Sequence, residues 1–382
     1  MNAISPLVPA TWPQEGLPWI KEPRRLAPGL DGLLAWAQHQ GASRIAFQTG
    51  HPVSVRIHGQ NRAATLEALD HMAIVEIANH LYGADGAARL ENGHDFDVSY
   101  SINITRTHQL RFRVNATPTM TKRRDGANFV LRPIPDASAL SNKDVEPEIL
   151  AACRPASGMV FIGGATGSGK TTLLAGILRD LLRDPREQVH IGTGEAPIEF
   201  LLDKEMTRSG STINQTEIPR HLPTFEAFIR GCMRRELTHI LVGECRDTAT
   251  MAAAINAAMV GGVLYTTIHA DDVPLMMQRA TSLCPADERD NLVSALAQAL
   301  RLVINQRLVP SADGRRTAIR EYLVFDRAVR MKMLRSNATE WPAIVADAVR
   351  EKGQSFDQAI HKALAAGRIT EETAAFELRR DA

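Results

Sequence analysis

The chain has 382 residues, enough for two or three domains with real cores. Hydrophobic residues make up 44% and charged residues 23%, which excludes a collagen-like or largely disordered polymer. The formal net charge is +1, so no bulk positive field draws the protein onto nucleic acid or anionic lipid.

The cysteines, Cys153, Cys232, Cys245 and Cys284, include no C-x-x-C pair, which argues against a zinc knuckle or a dithiol redox couple and fits a reducing compartment. Residues 1–26 form a Pro-rich lead with Pro6, Pro9, Pro13, Pro18 and Pro23. It lacks the basic start and apolar run of a secretory signal. The longest uncharged stretch, residues 248–268, is long enough to span a bilayer. Asn256, Gly261, Gly262 and its threonines make it a poor membrane segment, and it reads as a buried helix followed by a buried strand. The expectation is a soluble, cytoplasmic protein.

Residues 27–135 read as a mixed α+β domain. Leu33, Leu34, Trp36 and Ala37 give a helical face, and residues 47–58 carry short strands with Val53, Val55 and Ile57 on one side. Residues 70–90 read as helix, with Ile74, Ile77, Ala78 and Leu81 on one stripe. Residues 96–104, 109–115 and 129–134 read as strands. Residues 136–148, bracketed by Pro135 and Pro147, read as a linker. From 149 to 335 short apolar runs at 159–162, 189–191, 239–242 and 262–268 alternate with helical segments, the pattern of a parallel sheet covered by helices on both faces. Residues 302–308 and 317–325 flank an Asp313-Gly314 turn and read as an antiparallel pair. Residues 336–382 form a helical tail. In it Ser355 and Gln358 make a capping box, Gly367 closes that helix and Thr370 opens the last one.

The strongest chemical signal is Gly164-Ala165-Thr166-Gly167-Ser168-Gly169-Lys170-Thr171, a G-x-x-x-x-G-K-[ST] P-loop. Its glycines let backbone N–H groups curl inward around phosphate oxygens, and the following helix points its positive end at the same oxygens. Lys170 is expected to reach the β- and γ-phosphates, and the Thr171 hydroxyl to ligate Mg²⁺. Thr172 completes the expected cofactor-binding run. Residues 240–243 are an apolar strand ending in Glu244, an acid placed to hold Mg²⁺ or polarise the attacking water. Glu195 and Glu199 follow the strand near 189–192, and His269 follows the strand at 263–268. In an open parallel sheet ligands bind outside the carboxyl ends of strands, so these four groups are expected to converge on one nucleotide, with catalysis by positioning and electrostatics.

These motifs resemble the PilT-like secretion ATPases, the superfamily that powers type II and type IV secretion and pilus machines. The P-loop is followed by an acidic box (Glu195 to Glu199), a Walker B segment (Ile240 to Asp247) and a His box (Thr267 to His269). The Glu-Ala-Pro-Ile-Glu form of the acidic box and the strand Arg320-Glu321-Tyr322-Leu323-Val324-Phe325 are similar to the DotB group and the TraJ ATPases of IncI-type conjugation. Other segments fit as well, among them Arg111 to Asn115, Leu131 to Pro135 and Gln306-Arg307-Leu308. The resemblance implies a PAS-like first domain, a RecA-like ATPase domain that binds ATP and Mg²⁺, and a homohexameric ring. It also implies that Arg113 and Arg132 close over the phosphates. The ring is expected at the inner face of the membrane, held by inner-membrane components of a secretion, conjugation or pilus machine, with no direct nucleic-acid binding or membrane insertion. Two departures stand out. Gly262 occupies the place of the family's first histidine, and the A-I-R-N-L-I-R-E tail of pilus retraction has no match near residues 331–348.

Two other readings stay open from sequence. One is a nucleotide-dependent switch or scaffold of the same machine with negligible turnover, which would have no use for the acids at 195, 199 and 244. The other is a RecA-like nucleic-acid motor, for which the near-zero charge and the absence of an aromatic–basic groove are unfavourable.

Overall fold

The computed structural model describes residues 29–105, 109–121, 125–134, 140–205 and 210–380. The Pro-rich lead and residues 136–139 of the expected linker lie outside them. The chain divides into two compact units, Met1–Ala139 with Ala196–Phe200, and Leu140–Glu195 with Leu201–Ala382.

The first unit runs α1 (Leu30–His39), β1 (Ala42–Gln48), β2 (Ser54–Ile57), β3 (Gln60–Ala63), α2 (His71–Tyr82), α3 (Gly86–Glu91), β4 (Phe96–Asn103), β5 (Gln109–Met120) and β6 (Asp125–Ile134). Its strands form one antiparallel sheet in the order β3-β2-β1-β6-β5-β4. The alternation of β1, β5 and β6 puts Ile45, Phe47, Phe112, Val114, Phe129 and Leu131 in the core with the apolar stripes of α1 and α2. The helix expected over 70–90 is two helices. Asp70 caps α2 by accepting from Ala73 N at 2.8 Å, and Gly83, at φ 132°, ends it in a conformation that other residues rarely adopt.

The second unit runs α4 (Pro147–Ala152), β7 (Gly158–Gly163), α5 (Lys170–Arg183), β8 (His190–Glu195), β9 (Thr212–Glu217), α6 (Phe225–Cys232), β10 (His239–Val242), α7 (Thr248–Met259) and β11 (Val263–Ile268). It continues with α8 (Val273–Ser282), α9 (Arg289–Ala299), β12 (Leu300–Pro310), β13 (Arg316–Val324), α10 (Arg327–Leu334), α11 (Trp341–Lys352), α12 (Phe356–Ala365) and α13 (Glu371–Arg380). The sheet order is β13-β12-β7-β11-β10-β8-β9, parallel throughout except for the antiparallel β12–β13 hairpin. Every residue of β7 and β11 is buried, as a sheet covered on both faces requires. The uncharged stretch 248–268 is α7 and β11, and no helix among the described residues is long and apolar enough to cross a membrane.

The tail helices carry the expected caps. Ser355 and Gln358 form a reciprocal capping box, Gly367 sits at φ 67°, and Thr370 Oγ1 accepts from Thr373 N at 3.2 Å. Two further features differ from expectation. Strand β9 was unforeseen, because its one apolar residue, Ile213, gives no strand signal; its backbone pairing with β8 places it at the sheet edge. Residues 140–146 are not a free connector. Leu140 and Val145 are buried, and Asn142 Nδ2 donates to Asp180 Oδ2 on α5 at 2.7 Å.

Candidate functional site

The P-loop joins β7 to α5 at the carboxyl edge of the sheet. Gly164, Gly167 and Gly169 take φ values of 132°, 80° and 86°, which turn the chain as a phosphate nest requires. At Gly164 a Cβ would stand 2.3 Å from Gln306 O and 2.7 Å from Ser168 Oγ, so only glycine lets the loop lie this close to β12. The Lys170 ammonium is buried and donates to Gly164 O at 2.8 Å and Ala165 O at 2.9 Å. Ser168 Oγ is buried with no hydrogen-bond partner. A cradle that only glycines allow, a lysine folded over it and an unmet buried hydroxyl together fit a nucleotide phosphate chain. Thr171, in the first turn of α5, is half-buried, and Thr172 is exposed.

Glu244 follows β10, and its carboxylate is held from two sides. Arg246 Nε donates to Oε2 at 2.7 Å, and His269 Nε2 lies 3.4 Å from Oε1. The backbone around Glu244 is fastened to β11: Thr267 Oγ1 donates to Gly243 O at 2.6 Å, and Cys245 N donates to Thr267 O at 3.2 Å. Gly243 N also donates to Gly194 O at 2.8 Å. Gly243 therefore cannot shift without breaking bonds to β11 and β8. In the sheet order, β11 lies between β7 and β10. The P-loop and Glu244 thus stand two strand spacings apart, roughly 10 Å, with His269 on the strand between them.

Glu195 ends β8 and is nearly buried. Its Oε1 accepts from Thr193 Oγ1 at 2.6 Å and Gln215 Nε2 at 3.2 Å. Its neighbour in register on β9 is Glu217, also buried. Glu199 belongs instead to the first unit with residues 196–200. There Arg111 donates to Ile198 O and Glu199 O, each at 2.8 Å. Arg113 clamps Asp97 through Nε at 3.1 Å and Nη2 at 2.6 Å, and its Nη1 lies 3.8 Å from Glu199 Oε1. The Asp97 hydrogen bond is the main cause that raises the Arg113 pKa. Arg132 is exposed and faces Arg113 directly across the β5–β6 register. Two like charges at opposite positions repel, and Asp97 and Glu199 offset this around Arg113.

The P-loop group (Gly164 to Thr172), Glu244, His269 and Glu195 thus lie in the second unit, and Glu199, Arg113 and Arg132 in the first. Arg246, Glu217 and Gln306 have no role in the sequence reading. Arg246 lies inside the Walker B segment and Gln306 inside the Gln306-Arg307-Leu308 segment, so both carry a signal in the sequence; Glu217 lies on β9, whose polar sequence carries none. All four cysteines are free and buried, and burial raises their pKa values to about 11–12. Among the described residues no cluster of His, Cys, Asp and Glu could hold a metal alone. A P-loop Mg²⁺ does not need one, since it takes few protein ligands and completes its shell with phosphate oxygens and water.

Among the described residues of the second unit, a hollow adjoins the P-loop and another lies at the opposite edge of the sheet. The first, of about 220 Å³, adjoins Ala165–Ser168 and is lined across from them by Asp271, Gln306, Arg307 and Arg380. The other, about 630 Å³, is larger but lies at the amino-terminal ends of β8, β10 and β11, among Glu187, His239 and Gly262. The larger volume is at the wrong edge of the sheet for the P-loop chemistry.

Residues 94–375 match the family model of the type II/IV secretion system proteins, and the chain belongs to that family. It is 30% identical over 347 residues to a type IV pilus retraction ATPase, PilT, of Pseudomonas aeruginosa, covering 90% of this chain and 96% of that one. The fold superposes on the Legionella pneumophila ATPase DotB with a TM-score of 0.86 at 36% identity, covering 94% of this chain and 98% of that one. It superposes on the pilus retraction motor PilT with bound ADP with a TM-score of 0.73 at 25% identity, covering 90% and 95%.

Proposed function

We propose that the protein is an ATP hydrolase that powers a type IV secretion or conjugative-transfer machine, working as a homohexameric ring. The ring would be cytoplasmic and held at the inner membrane through partner proteins. The observation that carries this reading is the row of P-loop, His269 and Glu244 at the ends of three adjacent strands. The likeness to DotB supports the type IV secretion setting, and the missing retraction tail weighs against pilus retraction.

Each residue in the row has a task. The loop 164–169 holds phosphate oxygens with backbone N–H groups. Lys170 exchanges its bonds to Gly164 O and Ala165 O for β- and γ-phosphate oxygens. Thr171 and Glu244 would hold Mg²⁺, which supplies charge neutralisation at those oxygens when bound. Glu244 orients water and accepts its proton, with Arg246 and His269 keeping the carboxylate aimed. Glu195, fixed by Thr193 and Gln215, is the buried acid of this unit beside Glu217, and Glu199 is proposed as the second acid of the box. Arg113 and Arg132 are proposed to sense the phosphates. The first unit is read as a PAS-like domain.

A nucleotide switch with negligible turnover differs from this in one measurable quantity. Particle size with and without ATP, with hydrolysis followed on the same sample, tests both. ATP-dependent turnover by a six-subunit particle is expected. Nucleotide binding without turnover would favour the switch.

A further inference from the structure

We propose that Gln306, Arg320 and Glu146 form a positioning relay that couples the phosphate cradle to residues 140–146, where the chain enters the second unit. The proposal rests on the nucleotide reading above. Gln306, on β12, is 2% exposed, and its Nε2 donates to Ser168 O at 2.6 Å. The Ser168 carbonyl and the Gly169 N–H belong to one planar trans peptide, so they point opposite ways. Holding the carbonyl against β12 turns the Gly169 N–H away from β12. Gln306 thus sets the direction of a phosphate-binding donor without touching phosphate.

The orientation of that amide is dictated in turn. Arg320 Nε donates to Gln306 Oε1 at 2.7 Å, and a guanidinium has no acceptor, so Oε1 must face Arg320 and Nε2 must face Ser168. Arg320 is 5% exposed, and its Nη1 donates to Asp144 O at 2.8 Å and to Glu146 Oε2 at 2.9 Å. A buried guanidinium held by three hydrogen bonds cannot release one partner without disturbing the others. The same segment is also fastened to α5, the helix that begins with Lys170. Arg179 donates to Leu140 O, and Asn142 Nδ2 donates to Asp180 Oδ2 at 2.7 Å. At Gly176 a Cβ would stand 2.4 Å from Asn142 Oδ1, so this side of the helix is stripped to bring the segment close. Residues 140–146 therefore grip the P-loop by two routes, through its helix and through its last peptide. Unit 2 begins at Leu140, so this segment carries any pull transmitted along the chain from residue 139.

The test uses the full chain with ADP as probe and Lys170→Ala as the reference for lost binding. Gln306→Glu keeps the size and the acceptor for Arg320 but has no hydrogen to give Ser168 O. It is expected to weaken ADP binding about tenfold. Glu146→Gln is expected to weaken it about threefold, and the double variant to fall short of the product of the two effects. In wild-type protein ADP is expected to slow amide exchange across residues 140–150. This measurement needs no variant and decides the matter if Gln306→Glu does not fold. Wild-type ADP affinity in Gln306→Glu, or exchange at 140–150 indifferent to saturating ADP, overturns the relay while Lys170→Ala still loses binding. If wild-type protein itself binds no ADP, the nucleotide reading falls and the relay with it.

Discussion

His269 Nε2 stands 3.4 Å from Glu244 Oε1, within ion-pair reach but long for a hydrogen bond, across the ends of neighbouring parallel strands. The other oxygen, Oε2, is taken by Arg246 at 2.7 Å. Glu244 is thus aimed by one tight contact and one loose one, and the loose one is free to shorten or break as the site fills. Glu244→Gln keeps the side chain's size but cannot take a proton from water. It should retain ATP binding, because the cradle 164–171 is untouched, and lose about 10²–10⁴-fold in turnover. Steady-state hydrolysis and nucleotide binding on both proteins check this; equal turnover would remove Glu244 from the mechanism.

Lys170→Ala should abolish most nucleotide binding. The buried ammonium now bonds Gly164 O and Ala165 O. Its loss leaves those carbonyls bare and the phosphates without the P-loop cation. Titration with ADP measures the effect, and unaltered affinity would sink the central assignment.

Arg113→Ala and Arg132→Ala should leave nucleotide binding largely intact and slow turnover. Arg113 also holds Asp97 and Glu199, so its removal takes the cation from both carboxylates. Arg132 has the exposed position of the pair, so its variant should cost turnover without cost in thermal stability. Turnover at the wild-type rate in both variants would remove the arginines from the site.

Arg111→Met should destabilise the first unit by about 1–3 kcal/mol, since the buried Ile198 carbonyl and that of Glu199 lose their guanidinium donor. The first transition in a urea titration reports it. A midpoint equal to wild type would mean that solvent replaces the arginine without cost.

His239 gives a pH-dependent test. Burial, assisted by the positive charge of Arg154, lowers its pKa from 6.5 to about 4. Between those values the unfolded chain takes up a proton that the folded histidine refuses, so stability falls as pH drops from about 6.5 to about 4 and is fully present above that window. His239→Gln should remove this component, about 3 kcal/mol across the window. Denaturant midpoints of both proteins at pH 7 and pH 4 check it; parallel pH profiles would show that His239 titrates normally.

Much of this arrangement was legible in the residues. The β7, β10 and β11 runs are continuous and apolar because parallel strands are covered on both faces, and that continuity made them visible. The P-loop is readable from its own spacing, and Glu244 and His269 from standing just after apolar strand runs, a reading that the resemblance to the secretion ATPases reinforces. β9 was hidden because it is an edge strand with a polar sequence, held by backbone bonds that composition does not reveal. Glu199 was expected with Glu195, four residues away, yet the two fall in different units, because Arg111 captures the backbone of 198–199. The place of the family's first histidine, Gly262, lies at the start of β11 and His269 at its end, roughly 20 Å apart along an extended strand. A histidine at 262 would face the other edge of the sheet, so its absence leaves the P-loop edge unchanged.

The capture of residues 196–200 by the first unit also changes what a cut in the chain separates. The backbone passes between the two units at 139–140, at 195–196 and again at 200–201, but residues 196–200 are held to residues 1–139 by noncovalent contacts such as those of Arg111. Cutting the chain once at 139–140 leaves residues 1–139 attached to 196–200 by noncovalent contacts alone, among them the bonds of Arg111 to Ile198 O and Glu199 O. A truncated chain that starts near Pro147 keeps residues 196–200 but lacks Arg111, which holds them. Such a fragment is therefore the second body without residues 140–146, carrying a piece of the first with nothing to seat it.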